Sequence, residues 1–448
     1  MSPPGAGPLE PYERDFEIFR AGVGGDPAWL RGLREDAMGQ FREAGFPSTR
    51  LEAWKYTSTR PIAEAGFTLA ASDAGSLTLD QVEQLCFPVF ACSLFVFVNG
   101  RFAPSLSTPS TRAAGLPFES LARLRSENPA FLEGRLGRVA ELKEHPFAAL
   151  NTAFLDDGAA ISLPAGAVEE EPVHLVFVSV GDGDEAPWVT HPRVLVHAAA
   201  GSRVTIIQDH VSVGSAPRFT NAVTEVTVEE NARVDLVLLQ REGDASHHIS
   251  GLHVRQERDS RVSTHTVTLG GGFVRNDLTL LLAGEGAECK LRGLFLGTGD
   301  ETVDNHTLVD HAVPHCTSRE LYKGVLAGTS RGVFQGRVIV RPDAQQTNAF
   351  QSNPNLLLSD GAEVNTKPQL EIHADDVRCS HGATIGQLDL DALFYLRSRG
   401  IAELAARDLL TQGFATEITD SLPAQALGER VRELLLDRLH GAGNGARS

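Results

Sequence analysis

Short apolar runs alternate with turn-forming segments between about residues 160 and 385. The runs are rich in Val, Leu, Ile and Thr, and the segments between them in Gly, Asn, Asp and Ser. This texture predicts β-strands joined by turns, because no helical pattern of useful length separates the runs. The predicted strands include residues 174–179, 193–197, 203–208, 223–228, 233–239, 261–269 and 337–340. These strands alone are compatible with a sandwich or a barrel.

A weak internal repeat favours a different architecture. A turn of small or polar residues recurs before an apolar position at 201–204, 231–234, 259–262, 286–289 and 361–364. The first four apolar positions, Val204, Val234, Val262 and Cys289, lie 30, 28 and 27 residues apart. A period of this size indicates a solenoid, and units made only of strands predict a parallel β-helix. Chance recurrence of Gly and Asn turns is the alternative.

The segments before the repeat are mixed, with helical stretches. A helix is predicted over 29–44, with its start at Asp26 and Pro27 just inside it, and residues 45–48 end it. Residues 93–99 predict a strand that leads into an Asn99-Gly100 turn. Residues 118–155 are predicted to be helical, with breaks at two prolines.

Three helices are predicted after the repeat. The first is capped by Asp389 and closed by Gly400, the second runs over 401–412 to Gly413, and the third covers 424–440. The predicted organisation is a mainly helical region over 1–155, a β-helix core over 156–386 and a helical region over 387–448. The fold class is therefore mainly β, with a parallel β-helix core between α-helical flanks.

The charge and the apolar runs exclude several classes of partner. Asp and Glu number 58 against 40 Lys and Arg, for a net charge of −18. Such a surface repels phosphate backbones and anionic lipids, so neither nucleic acid nor membrane is expected. The start of the chain does not resemble a signal peptide, and the apolar run 85–98 is too short to span a bilayer. We expect a cytoplasmic protein in which 85–98 is a buried strand.

The five cysteines are scattered and odd in number, which indicates reduced thiols. They form no C-x-x-C pair, so a self-contained zinc or cluster-binding knuckle is not expected. The chain also has no Walker A motif, dinucleotide fingerprint, nucleophile elbow or H-E-x-x-H helix. No enzymatic motif is therefore recognised.

Cys379 and His381 are the pair that could carry chemistry. Residues two apart on a strand point to the same side, which would place a thiol beside an imidazole. Both groups bind iron, and a thiolate also accepts sulfur. Two ligands do not complete a site, so the others would come from another chain or a small molecule. A packed thiol next to a hydrogen-bonded histidine is the commoner explanation of such spacing.

Two further clusters contain histidines. One comprises His311, His315 and Cys316, and the other His247, His248 and His253. Clusters of this kind arise easily in a chain with 15 histidines. Hydrogen-bonded or surface histidines are the favoured interpretation of both.

The sequence around Cys379 is specific enough to suggest a family. Residues 365–372 read NTKPQLEI, residues 374–384 read ADDVRCSHGAT, and residues 393–401 read LFYLRSRGI. Upstream, 45–47 (GFP), Glu52, 54–57 (WKYT) and 318–324 (SRELYKG) fit the same pattern. These motifs closely resemble the SufB/SufD family. The CSHGAT form is that of SufD-type members, since SufB-type members carry a Glu-His-Glu-Ala-type run here.

The resemblance implies a right-handed parallel β-helix in a non-catalytic scaffold for iron–sulfur cluster assembly. SufD-type members pair with a SufB subunit, and each docks a SufC ATPase of the ABC type through its C-terminal helices. A transient cluster or iron is held at the SufB–SufD interface. The key residue there corresponds to His381, a metal ligand shared with SufB, with Cys379 as a weaker companion.

The same resemblance implies that the chain alone holds no cofactor. A flavin is associated with the assembled complex, without a position on this chain.

Two other functions are alternatives to this one. A SufB-like paralogue would itself hold the nascent cluster, with homodimers as a further state of the isolated chain, but SufB-type cysteines are absent. A β-helix carbohydrate-active enzyme would need convergent carboxylates or a calcium site. Neither feature is obvious in the repeated strands.

Overall fold

Two parallel β-sheets wind together into a β-solenoid of about seven turns. The computed structural model describes residues 9–70, 77–86, 91–109, 118–183 and 186–445. Each turn of the solenoid, called a coil below, contributes one strand to each sheet. The mainly β class, the solenoid core and the helices at both termini confirm the predicted fold.

The strands of the first sheet, sheet A, are β1 (Thr68–Leu69), β4 (Phe118–Ser120), β5 (Gly158–Leu163), β7 (Trp188–Thr190), β8 (Arg193–Ala198), β10 (Arg218–Val228), β12 (Ser246–Gln256), β14 (Phe273–Leu282), β16 (Thr302–His311), β18 (Arg331–Val340) and β20 (Glu363–Ile372). The strands of sheet B are β2 (Ser93–Val98), β3 (Arg101–Phe102), β6 (Val173–Val180), β9 (Arg203–Val213), β11 (Arg233–Arg241), β13 (Arg261–Thr268), β15 (Glu288–Gly297), β17 (Thr317–Leu326), β19 (Thr347–Leu357) and β21 (Val377–Gly386).

The helices flank this core in the chain. They are α1 (Glu10–Gly22), α2 (Ala28–Ala44), α3 (Arg60–Glu64), α4 (Leu79–Leu85), α5 (Leu121–Glu127), α6 (Pro129–Glu133), α7 (Pro146–Ala153), α8 (Leu390–Ser398), α9 (Glu403–Thr419) and α10 (Gln425–Gly445). Within the described ranges, none of them combines the length and apolar character needed to cross a bilayer.

The repeat found in the sequence corresponds to one column of the solenoid. Val204, Val234, Val262 and Cys289 are register partners on β9, β11, β13 and β15. The residue that begins each turn, such as Asn231 with φ of 58°, has a left-handed backbone conformation. Gly and Asn tolerate this conformation at low cost, which explains their recurrence at this corner.

The fifth occurrence of the turn, at 361–364, was wrongly grouped with the others. It precedes β20 of sheet A and therefore lies at the opposite corner of the coil. The column itself continues through Ser318 and Ala349 and ends at Cys379.

Helices cover the outer faces of both sheets. Side chains of α1, α2 and α7 pack on the outer face of sheet A against Phe219, Ile249 and Phe273. Side chains of α9 and α10 pack on sheet B against residues from Ile207 on β9 to Val325 on β17. Most strands are therefore buried on two faces, as in other covered parallel sheets, and their sequences are apolar without strict alternation.

Several predicted boundaries need correction. Gly413 lies inside α9, because the helix continues to Thr419 and buries Ala415 and Ile418 against sheet B. Residues 118–155 include strand β4, and no helix spans 134–145. Pro27 is the N-cap of α2 instead of its first helical residue.

Other local predictions are confirmed. Asn99 and Gly100 form the tight turn between β2 and β3, with φ of 48° and 83°. Asp389 caps α8 by accepting hydrogen bonds from the N–H groups of Asp391 and Ala392. In the run 85–98, β2 is buried as expected, while 87–90 and the chain start at 1–8 lie outside the described residues. The division at 156 and 386 stays a prediction, and β2 of sheet B precedes residue 156.

Replacing Gly293 by Ala should destabilise the solenoid. Gly293 lies on β15 and faces the solenoid interior. An added Cβ would lie 2.1 Å from Cδ1 of the buried Tyr322 ring. The rigid ring can avoid this clash only if the coil shifts. We therefore expect the free energy of unfolding to fall by about 1–3 kcal/mol. Urea titration measures it. Gly386→Ala is the matched control, since its Cβ would meet nothing within 4 Å; equal stability of the two variants would contradict this packing.

Candidate functional site at the open end of the solenoid

Cys379 and His381 lie on β21, the last strand of sheet B. Within the described part of the chain, β21 pairs only with β19, where Cys379 is opposite Ala349 and His381 opposite Gln351. Ala349 and Gln351 are buried and face the solenoid interior. Because side chains alternate along a strand, Cys379 and His381 both lie on the inward face of the terminal coil. The thiol and the imidazole are thus neighbours at an uncovered end.

The two side chains differ in their surroundings. Cys379 is half-buried and packs against the solenoid core, whereas His381 is exposed. Burial raises the pKa of the Cys379 thiol, and a hydrogen bond with the backbone of Ala349 offsets this only in part. Arg378 belongs to the opposite face of the strand and does not promote the thiolate. The raised pKa favours the protonated form of the Cys379 thiol.

A row of amide side chains lies beneath this pair, on the inward face of β19. Gln351 donates from Nε2 to Oε2 of Glu320 at 2.6 Å, and Asn353 donates to the carbonyl oxygen of Tyr322 at 2.9 Å. Asn355 donates to the carbonyl oxygen of Thr384 on β21 at 3.3 Å. The amide row therefore links the terminal strand to the coils below it by directional hydrogen bonds instead of apolar packing.

Glu320 is an unusual residue in this interior. Its side chain lies on β17, directly below Gln351 in the same column. Full burial raises the pKa of Glu320 to about 7, and the hydrogen bond from Gln351 only partly opposes that effect. The carboxyl group therefore retains its proton over much of the acidic range.

The two ends of the solenoid are built differently. At the first end, β3 and β4 pair antiparallel to β2 and β5, and Phe95 and Phe118 stack with ring centroids 3.7 Å apart. At the last end, β20 and β21 are the outermost strands of their sheets, and no described strand pairs with their free edges. Ile372 and Ile385 are 41% and 53% exposed there. A free strand edge with exposed apolar side chains is a surface suited to protein docking.

The cluster of His311, His315 and Cys316 does not form a site. His311 faces inward, where its Nε2 lies 2.9 Å from Oγ of Ser318 and burial lowers its pKa to about 4. His315 is exposed in a left-handed turn, and Cys316 is buried. Residues of this cluster thus point in different directions.

The second histidine cluster is also dispersed. His247 faces outward against Phe67 and Phe273, whereas His248 faces inward with Nδ1 at 2.7 Å from Oε2 of Glu242. His253 lines an outer cavity beside His145. Across the described residues, no three His, Cys, Asp or Glu side chains are placed to hold a metal ion.

The fold and this site define a β-solenoid protein with a thiol–imidazole pair on the last strand of sheet B, whose outer edge no described strand covers. A family model described as the SufBD core domain of SUF system FeS cluster assembly matches residues 179–414, and one for the SufBD N-terminal region matches 23–175. The chain belongs to the SufB/SufD family of iron–sulfur cluster assembly proteins and is SufD-like within it.

Individual relatives agree with this assignment. The chain is 34% identical over 408 residues to an iron–sulfur cluster assembly SufBD family protein of Synechocystis sp., covering 89% of this chain and 88% of the relative. It is 32% identical over 402 residues to the iron–sulfur cluster assembly protein SufD of Escherichia coli, covering 90% and 91%. SufD of Bacillus subtilis is 24% identical over 420 residues, with 91% and 93% covered.

Sequence reasoning did not single out Glu320 and Gln351. Glu320 belongs to the SRELYKG segment that supported the family resemblance, but the segment alone does not show which of its side chains point inward. The column through Cys289 could have shown this, because its members point inward and Glu320 and Gln351 each lie two residues after a member.

Replacing Glu320 by Gln should change how stability depends on pH. The folded protein holds the Glu320 proton up to a pKa of about 7, whereas the ordinary value is 4.5. Its contribution is fully present below about pH 4.5 and is lost as the pH rises through about 7. We expect wild type to lose about 3 kcal/mol relative to Glu320→Gln between pH 4.5 and pH 8.

Urea unfolding at a series of pH values measures this difference. Glu433→Gln, which removes an exposed carboxylate that pairs with Arg430 on α10, reports the effect of losing a surface charge. Parallel stability curves for wild type and Glu320→Gln would show that Glu320 titrates normally.

Proposed function

We propose that this protein is a non-catalytic scaffold subunit for iron–sulfur cluster assembly, acting in the cytoplasm. The observation that carries the proposal is the open end of the solenoid, where His381 and Cys379 lie on an edge strand whose outer edge pairs with no described strand. Iron or a nascent cluster is the cargo at this end. The chain supplies His381 as a ligand, with Cys379 secondary, and a second protein supplies the rest.

The partner at the open end is a SufB-like subunit. A second solenoid end can continue the hydrogen-bonding of β20 and β21 and cover the exposed Ile372 and Ile385. Its docking would enclose His381, exclude water from the ligands and place ligands from two chains around one metal. We further propose that the isolated chain holds no resident cofactor, and that any flavin belongs to the assembled complex.

The second partner is an ABC-type ATPase of the SufC kind, bound by the C-terminal helices. Exposed apolar side chains concentrate on α8, at the start of α9 and midway along it: Leu390, Phe394, Tyr395, Leu404 and Leu409. Phe394 on α8 is 74% exposed, whereas other apolar residues of α9 and α10 are buried on sheet B. Exposed apolar side chains on two helices that pack against each other are typical of a docking site.

The two rival functions make different demands. A SufB-like paralogue would bind a reconstituted cluster tightly as an isolated chain, for which two ligands at an open end are insufficient. A carbohydrate-active enzyme would need a cleft with converging carboxylates. The described carboxylates of the solenoid are instead largely paired with cations, such as Glu225 with Arg193 and Asp277 with Arg275.

His381→Ala should impair cluster formation without affecting folding or assembly. One ligand at a shared interface is lost, while the exposed imidazole makes no packing contribution to the core. We expect at least a tenfold lower yield of cluster in the complete assembly, measured by visible absorption and iron content.

The matched control is His197→Ala, which removes a partly exposed imidazole on β8, near the first end of the solenoid. If His381→Ala forms clusters as well as the control does, the proposed role of this end of the solenoid is wrong.

Phe394→Asp should weaken binding of the ATPase subunit. A charge in the centre of an apolar docking surface opposes its burial, and we expect at least a tenfold higher dissociation constant by calorimetry. Ile18→Asp, at a residue 68% exposed on α1, is the control. Equal binding by both variants would refute the docking site.

A point substitution is preferable to truncation after residue 386. Removing α9 and α10 would expose the outer face of sheet B from β9 to β17 and would destabilise the solenoid itself.

A further inference from the structure

Gln351 lies directly below His381, held by contacts on two sides. The two residues are register partners on β19 and β21, and the Gln351 side chain is only 3% exposed. Its Nε2 donates to Oε2 of Glu320 at 2.6 Å. A Cβ added to Gly336, on the facing sheet, would lie 2.1 Å from the same nitrogen. The amide of Gln351 thus occupies space that any side chain at position 336 would fill, and these contacts fix its position.

The other polar atom of this amide accepts no hydrogen bond from a described residue. Oε1 of Gln351 is buried, as is Oδ1 of Asn355, which also lacks a partner in the described part of the chain. Oε1 of Gln351 is distinguished by its position beneath the strand that carries His381. Because the amide nitrogen is committed to the preceding coil, the oxygen is left for the following coil. The register partner of Gln351 in that coil is His381, whose imidazole carries a donor.

We propose that Gln351 is a positioning residue for His381: its amide oxygen accepts the imidazole N–H and leaves the other ring nitrogen free to bind iron. Metal-binding histidines commonly donate their second N–H to an oxygen acceptor, which fixes the tautomer and the ring orientation. Glu320 acts one step further from the metal by holding the Gln351 nitrogen. This inference rests on the proposed function, since iron is the ligand that His381 would bind.

The tautomer of His381 tests the inference directly. Full-length protein labelled with ¹⁵N-histidine reports the protonation of each ring nitrogen by NMR, and His381→Asn identifies the signals of this ring. In wild type we expect one tautomer to dominate. In Gln351→Leu, which keeps the volume but removes the acceptor, the signals should move toward those of a free imidazole. Identical His381 signals in wild type and Gln351→Leu would overturn the inference.

Two more variants separate positioning from general stability. Asn353→Leu removes another buried amide of the same strand, but its register partner is Ala383, so the His381 tautomer should not change. Gln351→Met keeps the length of the side chain but lacks the amide oxygen, so it should lose the dominant tautomer as Gln351→Leu does. Loss of the dominant tautomer in Asn353→Leu, or its retention in Gln351→Met, would contradict the proposal.

Cluster formation in the complete assembly supplies the second readout. Loss of an outer hydrogen-bond partner typically weakens metal binding by roughly 10–100-fold, so Gln351→Leu should approach His381→Ala in cluster yield. If His381→Ala forms clusters normally, the proposed function fails whatever the tautomer. If His381→Ala is impaired while Gln351→Leu keeps wild-type yield, only the positioning role is refuted.

Discussion

The hydrogen-bonded stacking of each coil on the coil before it is the interaction on which the rest of this structure depends. Parallel strands of one coil satisfy the backbone N–H and C=O groups of the next, and no coil can do so alone. A structure of this kind always has two terminal edges. Here the first is closed by antiparallel strands and phenylalanine rings, whereas the last is open. The position of the candidate site follows from this asymmetry.

The covering helices and the polar interior complete the structure in different ways. Helices bury the outer faces of both sheets by apolar contact, which gives stability with little directional preference. The amide row of β19 instead makes directional hydrogen bonds to Glu320, Tyr322 and Thr384. Interior hydrogen bonds are worth less net energy than packing but tolerate fewer arrangements. Directional hydrogen bonds therefore fix the interior directly below Cys379 and His381.

Much of the fold could be predicted from the sequence because a solenoid repeats one unit, a coil of strands and turns, along the chain. The spacing from Val204 to Cys289 gave the length of a coil, and the Gly and Asn turns gave one corner. The motif at 361–364 was misplaced because both corners use small residues. Gly413 predicts a helix end, but burial of α9 on sheet B outweighs the low helix propensity of one glycine.

The site itself could be predicted only in part. Spacing placed Cys379 and His381 on one side of a strand, but which side faces inward depends on pairing with β19, about 30 residues earlier. Gln351 and Glu320 carry no motif of their own. Their importance arises from stacking across three coils, which a single sequence does not encode in any local pattern.

The short connection between β21 and α8 has a mechanical consequence. Only residues 387–389 separate Gly386 from the helix that carries Phe394. Strand β21 is bonded along one edge, whereas α9 and α10 are anchored across five strands of sheet B. A force applied to α8 is therefore transmitted first to β21, the strand to which the helix is directly connected and which is hydrogen-bonded only to β19 among the described strands. Displacement of this helix would tilt or loosen the strand that bears His381, so the position of His381 and the load on α8 are coupled.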